Sequence, residues 1–421
     1  MAFFGYAHSS LSKEVKQSNS IEMVRKKEFY GIAAVALICF LLIALSQKNP
    51  SHLHSRPVSF QAIEIMDNDD ADSSLIDADD TLSHISIKEI INHQRNRLKR
   101  DLYGYKLPGN LNLSDLTLDT GGQPIRTVII TTWRSGSTFL GDIINALPGN
   151  YYHYEPLLDY GIVQIRGPPY ADSALAVLKS LLNCDYTDLT RYLEFGMSHI
   201  YLFTHNKRLW SQCDAYPDYC WDPDFLNEFC KLFPFQSMKT VRMRLKLAEE
   251  LLQDNTLNVK VILLVRDPRG TLQSRRHRDW CPGVPDCDQP QHLCSDMVAD
   301  YSAAIRLNKL YPSRFRALRY EDLSLDPYQT TEDIFAFMGL NVPLQVKDFL
   351  ASHTTINVGG VSSTYRDSKN APFHWKNDLN ATEIQWIEDN CREALKLWGY
   401  RRTDGASDLK DFYPLTRYDI N

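Results

Sequence analysis

Apolar positions along this 421-residue chain change their period from segment to segment. Residues 126–132 (RTVIITT) and 259–265 (VKVILLV) are near-continuous β-branched and aliphatic runs. Runs of that kind predict strands buried on both faces. Shorter β-prone stretches predict further strands at 151–155, 238–243 and 315–320. Apolar residues three and four apart predict helices at 138–147, 171–182, 245–253, 296–310, 330–338 and 381–397. Strands alternating with helices imply one α/β domain, a P-loop-like three-layer α/β/α unit with a central parallel sheet. The expected span of this domain is 123–415.

The pattern upstream is different. Residues 29–47 carry no charge and are mostly apolar. Nineteen helical residues span about 28 Å, close to the hydrocarbon thickness of a bilayer. Arg25, Lys26 and Lys27 precede them, so the positive-inside bias keeps residues 1–28 cytoplasmic. The run is longer than a signal-peptide core and lacks a small-x-small exit, which favours an uncleaved anchor over a cleaved leader. Residues 48–122 read as a stem, acidic and poor in aromatics over 67–80. Within it, 86–102 shows helical spacing and reads first as a solvated linker helix. Docking on the domain, or pairing of stems in a homodimer, are the alternatives.

Two turns interrupt the apolar runs with chemistry. The first strand stops at Ser135-Gly136-Ser137-Thr138 and a helical run follows. A strand, a tight turn and a helix N-terminus present free N–H groups and a positive helix end to an anion. Arg134 adds a fixed cation. The GxxxxGK[ST] signature of nucleotide kinases is absent. The 259–265 strand ends in Arg266-Asp267-Pro268-Arg269-Gly270, with Ser274 in the helix beyond. In parallel sheets ligands sit at the carboxyl ends of the strands, so Arg266 and Ser274 are candidates for a second anion. An Arg266–Asp267 ion pair at the strand end is the structural alternative.

Together these segments resemble the sulfotransferases that use 3′-phosphoadenosine 5′-phosphosulfate (PAPS). WRSGSTFL at 133–140 resembles their 5′-phosphosulfate loop, and RDPRGTLQS at 266–274 their 3′-phosphate motif. Glu155-Pro156, the spaced cysteines between Ser274 and Cys294, the YEDL at 320–323 and the Arg-x-Ser-Lys at 366–369 resemble the Golgi carbohydrate 6-O-sulfotransferases. These act on N-acetylglucosamine, galactose or N-acetylgalactosamine. The resemblance spans about 125–400. It implies sulfuryl transfer from PAPS, without a metal, to the 6-hydroxyl of a sugar on a glycoprotein or proteoglycan. It also implies a type II Golgi membrane protein with a lumenal catalytic domain.

Such a site needs a base, cations for the leaving group and nucleotide clamps. Glu155 is the expected base. Period-two alternation puts His153 on the same face as the rival base, and pairing of Glu155 with an arginine is the structural alternative. Arg134 is expected on the phosphosulfate, with Trp133, Ser135, Gly136, Ser137, Thr138 and Phe139 forming the loop. Lys239 is a second catalytic cation or else a solvated strand-end lysine. By resemblance, Tyr320 lies near the nucleotide, and Arg366, Ser368 and Lys369 close over it.

Of nine cysteines, eight lie beyond the apolar run, an even number suited to as many as four disulfides in an oxidising lumen. A zinc site at Cys281, Cys287 and Cys294 fits poorly, because the spacing is not CxxC. Asn112-Leu113-Ser114 and Asn380-Ala381-Thr382 are glycosylation sequons. The net charge of −6 suggests no nucleic-acid partner. The cysteine-rich, aromatic-rich insert at 184–238 is expected on the acceptor side. Tyrosylprotein sulfotransferase, a lumenal kinase and a non-catalytic glycan-binding protein are the competing readings.

Overall fold

The structure, a computed structural model, describes residues 85–358, 364–406 and 408–420. Five parallel strands form the sheet: β1 (Ile125–Ile130), β2 (Asn150–Tyr154), β3 (Phe235–Thr240), β4 (Val259–Val265) and β5 (Phe315–Arg319). Their order is β2-β3-β1-β4-β5. The helices that matter below are α1 (Ile87–Asp101), α2 (Ser137–Asn145), α3 (Pro268–Arg275), α4 (Pro290–Leu310) and α5 (Ala381–Asn390).

Successive residues of the buried strands serve opposite faces. Val128, Ile130, Val261 and Leu263 enter one apolar cluster, together with Leu293, Ala304, Ile384 and Ile387 of α4 and α5. Ile129, Ile262 and Leu264 enter the other, with Leu140, Ile143 and Ile144 of α2. This is the three-layer α/β/α architecture expected from the alternating pattern. The chain leaves β1 toward β2 on one side, and later crosses β1 to pair β4 on the other. The switch point therefore lies at the carboxyl end of β1, where doubly wound sheets open a ligand crevice.

Some boundaries move. β3 starts at Phe235 because Phe235, Gln236 and Ser237 pair with both Ile125–Thr127 and Asn150–Tyr152. α4 begins at Pro290, earlier than the apolar spacing indicates, since proline is suited to a helix first turn. The helix expected over 381–397 breaks at Cys391, which is disulfide-bonded to Cys294 of α4.

α1 is not a solvated linker. Its Ile90, Ile91 and Leu98 are buried in the same cluster as β1 and β4, and the Tyr219 hydroxyl donates to the Ile85 carbonyl at 3.0 Å. A Ser86–Glu89 capping box starts the helix. α1 therefore packs into the core of the domain, although it falls within the stem expected over 48–122. The expected anchor at 29–47 lies outside the described residues. Among the described residues no helix is long and apolar enough to cross a membrane.

Candidate active site

β1 delivers its last side chains to a fixed turn. The Thr131 hydroxyl donates to the Leu264 carbonyl at 2.6 Å and lies 2.5 Å from Ser135 Oγ. Arg134 and Gly136 both adopt left-handed φ, +65° and +86°. At Gly136 a Cβ would lie 2.1 Å from the Tyr320 ring, so a side chain would collide as well as strain the backbone. The first intrahelical bond of α2 runs from Phe139 N–H to the Gly136 carbonyl at 3.1 Å. The N–H groups of Ser137 and Thr138 precede it at the positive helix end, the arrangement that receives an anion.

The 266–274 motif packs on this turn. The Arg134 Nε donates to Ser274 Oγ at 3.0 Å, and Arg266 Nη1 donates to the Arg134 carbonyl at 2.8 Å. The Arg266 guanidinium stacks over the Tyr320 ring at 4.7 Å. Its Nε is buried without a partner among the described residues. The alternative, an Arg266–Asp267 ion pair, is not the arrangement found, because Asp267 pairs with Arg269 at 2.7 Å. Below this turn, buried Arg275 donates to the Trp133 carbonyl at 3.1 Å and to Thr132 Oγ1 at 2.6 Å. It thereby holds the turn to α3.

Glu155 follows β2 directly. Its N–H continues the ladder to the Lys239 carbonyl at 2.9 Å, but its φ is +50°. That twist ends the alternation. His153 stays in the core, its ring 5.1 Å from that of Tyr151, whereas Glu155 turns into the cavity. The two do not share a face as the alternation implies. Burial holds the His153 pKa down to about 3.

Both carboxylate oxygens of Glu155 are engaged. Lys239 Nζ donates to Oε1 at 2.6 Å and Arg242 Nη1 to Oε2 at 3.1 Å. Lys239 is 2 % exposed, which overturns the solvated alternative, and its ammonium lies 4.0 Å from the Tyr154 ring centre. Burial opposes its charge, but Glu155 and Tyr154 outweigh burial and raise its pKa above the ordinary lysine value. Arg242 also donates from Nε to the Gly161 carbonyl at 2.6 Å.

A cavity of about 1010 Å³ collects these groups. Trp133, Arg134, Gly136, Ser137, Thr138 and Phe139 line it from the turn, with Glu155, Lys239, Arg266, Ser274 and Tyr320 from the other strand ends. Arg366 and Ser368 also line it. Ser135 does not, since it is fully buried with its hydroxyl donating to the Thr132 carbonyl at 2.8 Å. Lys369 is exposed and outside the lining.

The sequence reading missed Arg242 and Arg278, which also line the cavity. Each lies within a segment already singled out, the strand expected at 238–243 and the stretch from Ser274 to Cys294. A cation three residues beyond Lys239 was the available signal for Arg242. The lining also includes Tyr154, Phe195, His199, Tyr201 and His205. Of these, Phe195, His199, Tyr201 and His205 come from the insert that the sequence assigned to the acceptor side. The rings of Tyr154 and His205 stack at 3.7 Å, as do those of Phe195 and His199 at 3.9 Å.

Four disulfides join Cys184–Cys230, Cys213–Cys220, Cys281–Cys287 and Cys294–Cys391. Cys281, Cys287 and Cys294 are thereby spent as thiolate ligands for zinc.

Residues 124–399 match the family described as "Sulfotransferase domain". Mouse (Mus musculus) Carbohydrate sulfotransferase 5 is 26% identical over 334 residues, which is 69% of this chain and 84% of the relative. Danio rerio Carbohydrate sulfotransferase 1 is 28% identical over 337 residues, 68% of this chain and 80% of the relative. Among solved structures, the sulfotransferase domain of the Synechococcus PCC 7002 olefin synthase aligns at a TM-score of 0.35 and 18% identity. That alignment covers 63% of this chain and 94% of the other. The fold assignment therefore rests on the sheet order and layers described above.

Proposed function

Because this chain belongs to the sulfotransferase domain family, we propose that it transfers a sulfuryl group from PAPS to a sugar hydroxyl. The carbohydrate acceptor is supported by the relatives, both described as carbohydrate sulfotransferases. The finer assignment, the 6-hydroxyl of N-acetylglucosamine, galactose or N-acetylgalactosamine on a glycoprotein or proteoglycan, is supported by the motif order along the chain.

PAPS supplies an activated sulfuryl group and a 5′-phosphate leaving group. The residues present suit it. The N–H groups of Ser137 and Thr138 and the Arg134 guanidinium would receive the phosphosulfate end. Arg266 and Ser274 would hold the 3′-phosphate, with the unpartnered Arg266 Nε available for it. Tyr320, Arg366 and Ser368 line the same cavity and would contact the nucleotide. Lys369 lies outside it and takes no role.

Glu155 would accept the proton of the attacking hydroxyl. Each of its oxygens holds a cation donor but keeps a second lone pair that can take the proton, and a donor that moved aside would open the approach to it. Lys239 is the candidate to move, because Arg242 is tied independently to the Gly161 carbonyl. A protonated Lys239 released from Glu155 would then offset negative charge on the leaving phosphate, as Arg134 would from the loop.

The anchor at 29–47, a lumenal domain and a Golgi location complete the reading. Four disulfides fit an oxidising compartment. Asn112 and Asn380, the two sequon asparagines, are both exposed, as lumenal glycosylation requires.

The observation that carries the reading is the contact of the two anion motifs. Arg134 bonds Ser274 across 140 residues of sequence, beside Arg266 and in the same cavity as Glu155. The test is to incubate the purified full-length chain with radiolabelled PAPS, a glycan panel and a tyrosine peptide. Label is expected on a glycan and lost when its acceptor sugar is 6-deoxy. Label on the tyrosine peptide alone, or PAPS binding without transfer, would contradict it.

A further inference from the structure

Two unlike walls enclose the cavity. The arginines and lysines that line it come from the turn after β1, from residues 239–278 and from Arg366. Among the described residues, the stretch from Tyr154 to His205 brings none to the lining. It brings rings instead, Tyr154, Phe195, His199, Tyr201 and His205. Burial, and after it the charges of Lys239 and Lys207, lower the His205 pKa to about 4, so that ring is neutral near pH 7.

The aromatic wall is held from behind. Leu202 and Phe203 are buried, and the Phe203 ring meets Trp221 edge-on at 4.7 Å. Gly196 permits that contact, since a Cβ there would lie 2.4 Å from the Phe203 ring and 2.9 Å from that of Trp221. The Asn145 side-chain amide donates to the His205 carbonyl at 2.9 Å. The backbone is thus anchored while Phe195, His199 and Tyr201 face the cavity.

Tyr201 lines the cavity yet is 46 % exposed, so its ring is open to a ligand. It meets His199 edge-on at 6.1 Å, and His199 in turn stacks on Phe195. His199 Nδ1 lies 3.1 Å from the Phe195 carbonyl, which can only accept, so Nδ1 carries the hydrogen. In the neutral ring Nε2 is then left as a hydrogen-bond acceptor. Burial, and next to it the charge of Tyr154, raise the pKa of the Tyr201 hydroxyl, with Arg242 lowering it and Glu155 raising it further. Tyr201 therefore lies beside the Glu155–Arg242 pair. A pyranose ring has a face made largely of C–H bonds and a rim of hydroxyls, which suits an aromatic surface beside a few polar acceptors.

We infer that Tyr201 is the floor of the acceptor-sugar subsite: the C–H face of a pyranose lies on its ring, His199 accepts a hydrogen bond from one of the sugar hydroxyls, and the hydroxyl to be sulfated reaches Glu155. This rests on the sulfuryl-transfer function proposed above and gives its acceptor named partners. Adenine is the other ligand that would stack on such a ring. The sugar is favoured because Tyr201 lies beside the candidate base, and because the nucleotide's phosphates are drawn to the cationic wall.

The test uses the full-length chain, radiolabelled PAPS and the methyl β-glycosides of N-acetylglucosamine, galactose and N-acetylgalactosamine as acceptors. Calorimetric binding of adenosine 3′,5′-bisphosphate runs in parallel. Wild type should sulfate at least one glycoside. Tyr201→Ala should raise its KM about 10–100-fold, the worth of burying an apolar face, with kcat within about threefold. Tyr201→Phe should recover most of that loss, because it keeps the ring. His199→Ala should raise KM about 2–10-fold, as for one neutral hydrogen bond. Affinity for the bisphosphate should stay within about twofold in all three variants. A wild type that sulfates no glycoside and binds no bisphosphate overturns the functional reading and this inference with it. A wild type that binds the bisphosphate but sulfates no glycoside overturns this inference. So does an unchanged KM in an active Tyr201→Ala chain, which leaves the functional reading intact. Weakened bisphosphate binding with unchanged acceptor KM assigns the ring to adenine and also overturns it. If Tyr201→Phe loses as much as Tyr201→Ala, or if Tyr201→Ala does not fold, the ring is not a stacking surface for the sugar and the inference fails.

Discussion

Arg134 Nε donates to Ser274 Oγ at 3.0 Å, joining the turn after β1 to the helix after β4. Those two segments are the two candidate anion sites, and Arg266 braces them by donating to the Arg134 carbonyl at 2.8 Å. The sites are therefore one continuous surface. Arg266→Ala and Ser274→Ala should each weaken PAPS binding more than they raise acceptor KM. Wild type should bind adenosine 5′-phosphosulfate, which lacks the 3′-phosphate, much more weakly than PAPS. Competitive titration of both donors checks this, and equal wild-type affinity would remove the 3′-phosphate assignment.

Glu155 is as much a structural counter-charge as a candidate base. Lys239 and Arg242 are both 2 % exposed at their side chains and converge on it. Removing one partner of such a buried cluster leaves an uncompensated charge, at a cost of about 3–5 kcal/mol. Glu155→Gln should therefore lower the melting temperature. Adding Lys239→Met should cost less than the sum of the two single changes by about 1–3 kcal/mol. A thermal or denaturant double-mutant cycle measures that coupling, and strict additivity would show that the ion pair does not form.

His153 predicts an acid sensitivity rather than a catalytic profile. Burial lowers its folded-state pKa from 6.5 to about 3. Between those values the unfolded chain binds a proton that the folded chain refuses. Its contribution to stability is full above pH 6.5 and is lost progressively as pH falls toward 3. His153→Asn should flatten the melting temperature between neutral and mildly acidic pH while turnover persists. Scanning calorimetry across pH reads the first effect. Loss of turnover with nucleotide binding intact would return His153 to the role of base.

The centre of the sheet was legible because β1 and β4 are near-continuous apolar runs, whereas the polar Gln236 and Ser237 hid the start of β3. β4 matched its expected bounds, since Arg266-Asp267-Pro268 stops it sharply. The two turns proposed to hold anions were visible for the same reason: each lies where an apolar run ends in small or charged residues. Glu155 was found as a residue, but its orientation was not, because a left-handed φ after Tyr154 leaves no trace in a period-two pattern. α1 showed its amphipathic face without showing what covers it, and the partner is the core around β1 and β4. Arg242 and Arg278 lie in stretches the sequence already singled out, but only the fold shows that they reach the cavity.

The account turns on Glu155 acting as the proton acceptor in a site that binds PAPS independently of it. Glu155→Gln keeps the side chain's shape and removes its basicity. The decisive measurement is label transfer from radiolabelled PAPS to the preferred glycan, at a temperature where the variant is folded, alongside calorimetric binding of adenosine 3′,5′-bisphosphate. Turnover should fall by about 10²–10⁴-fold, the usual contribution of a positioned base, with nucleotide affinity within a few-fold of wild type. A folded Glu155→Gln chain that retains most of its transfer rate would contradict the account.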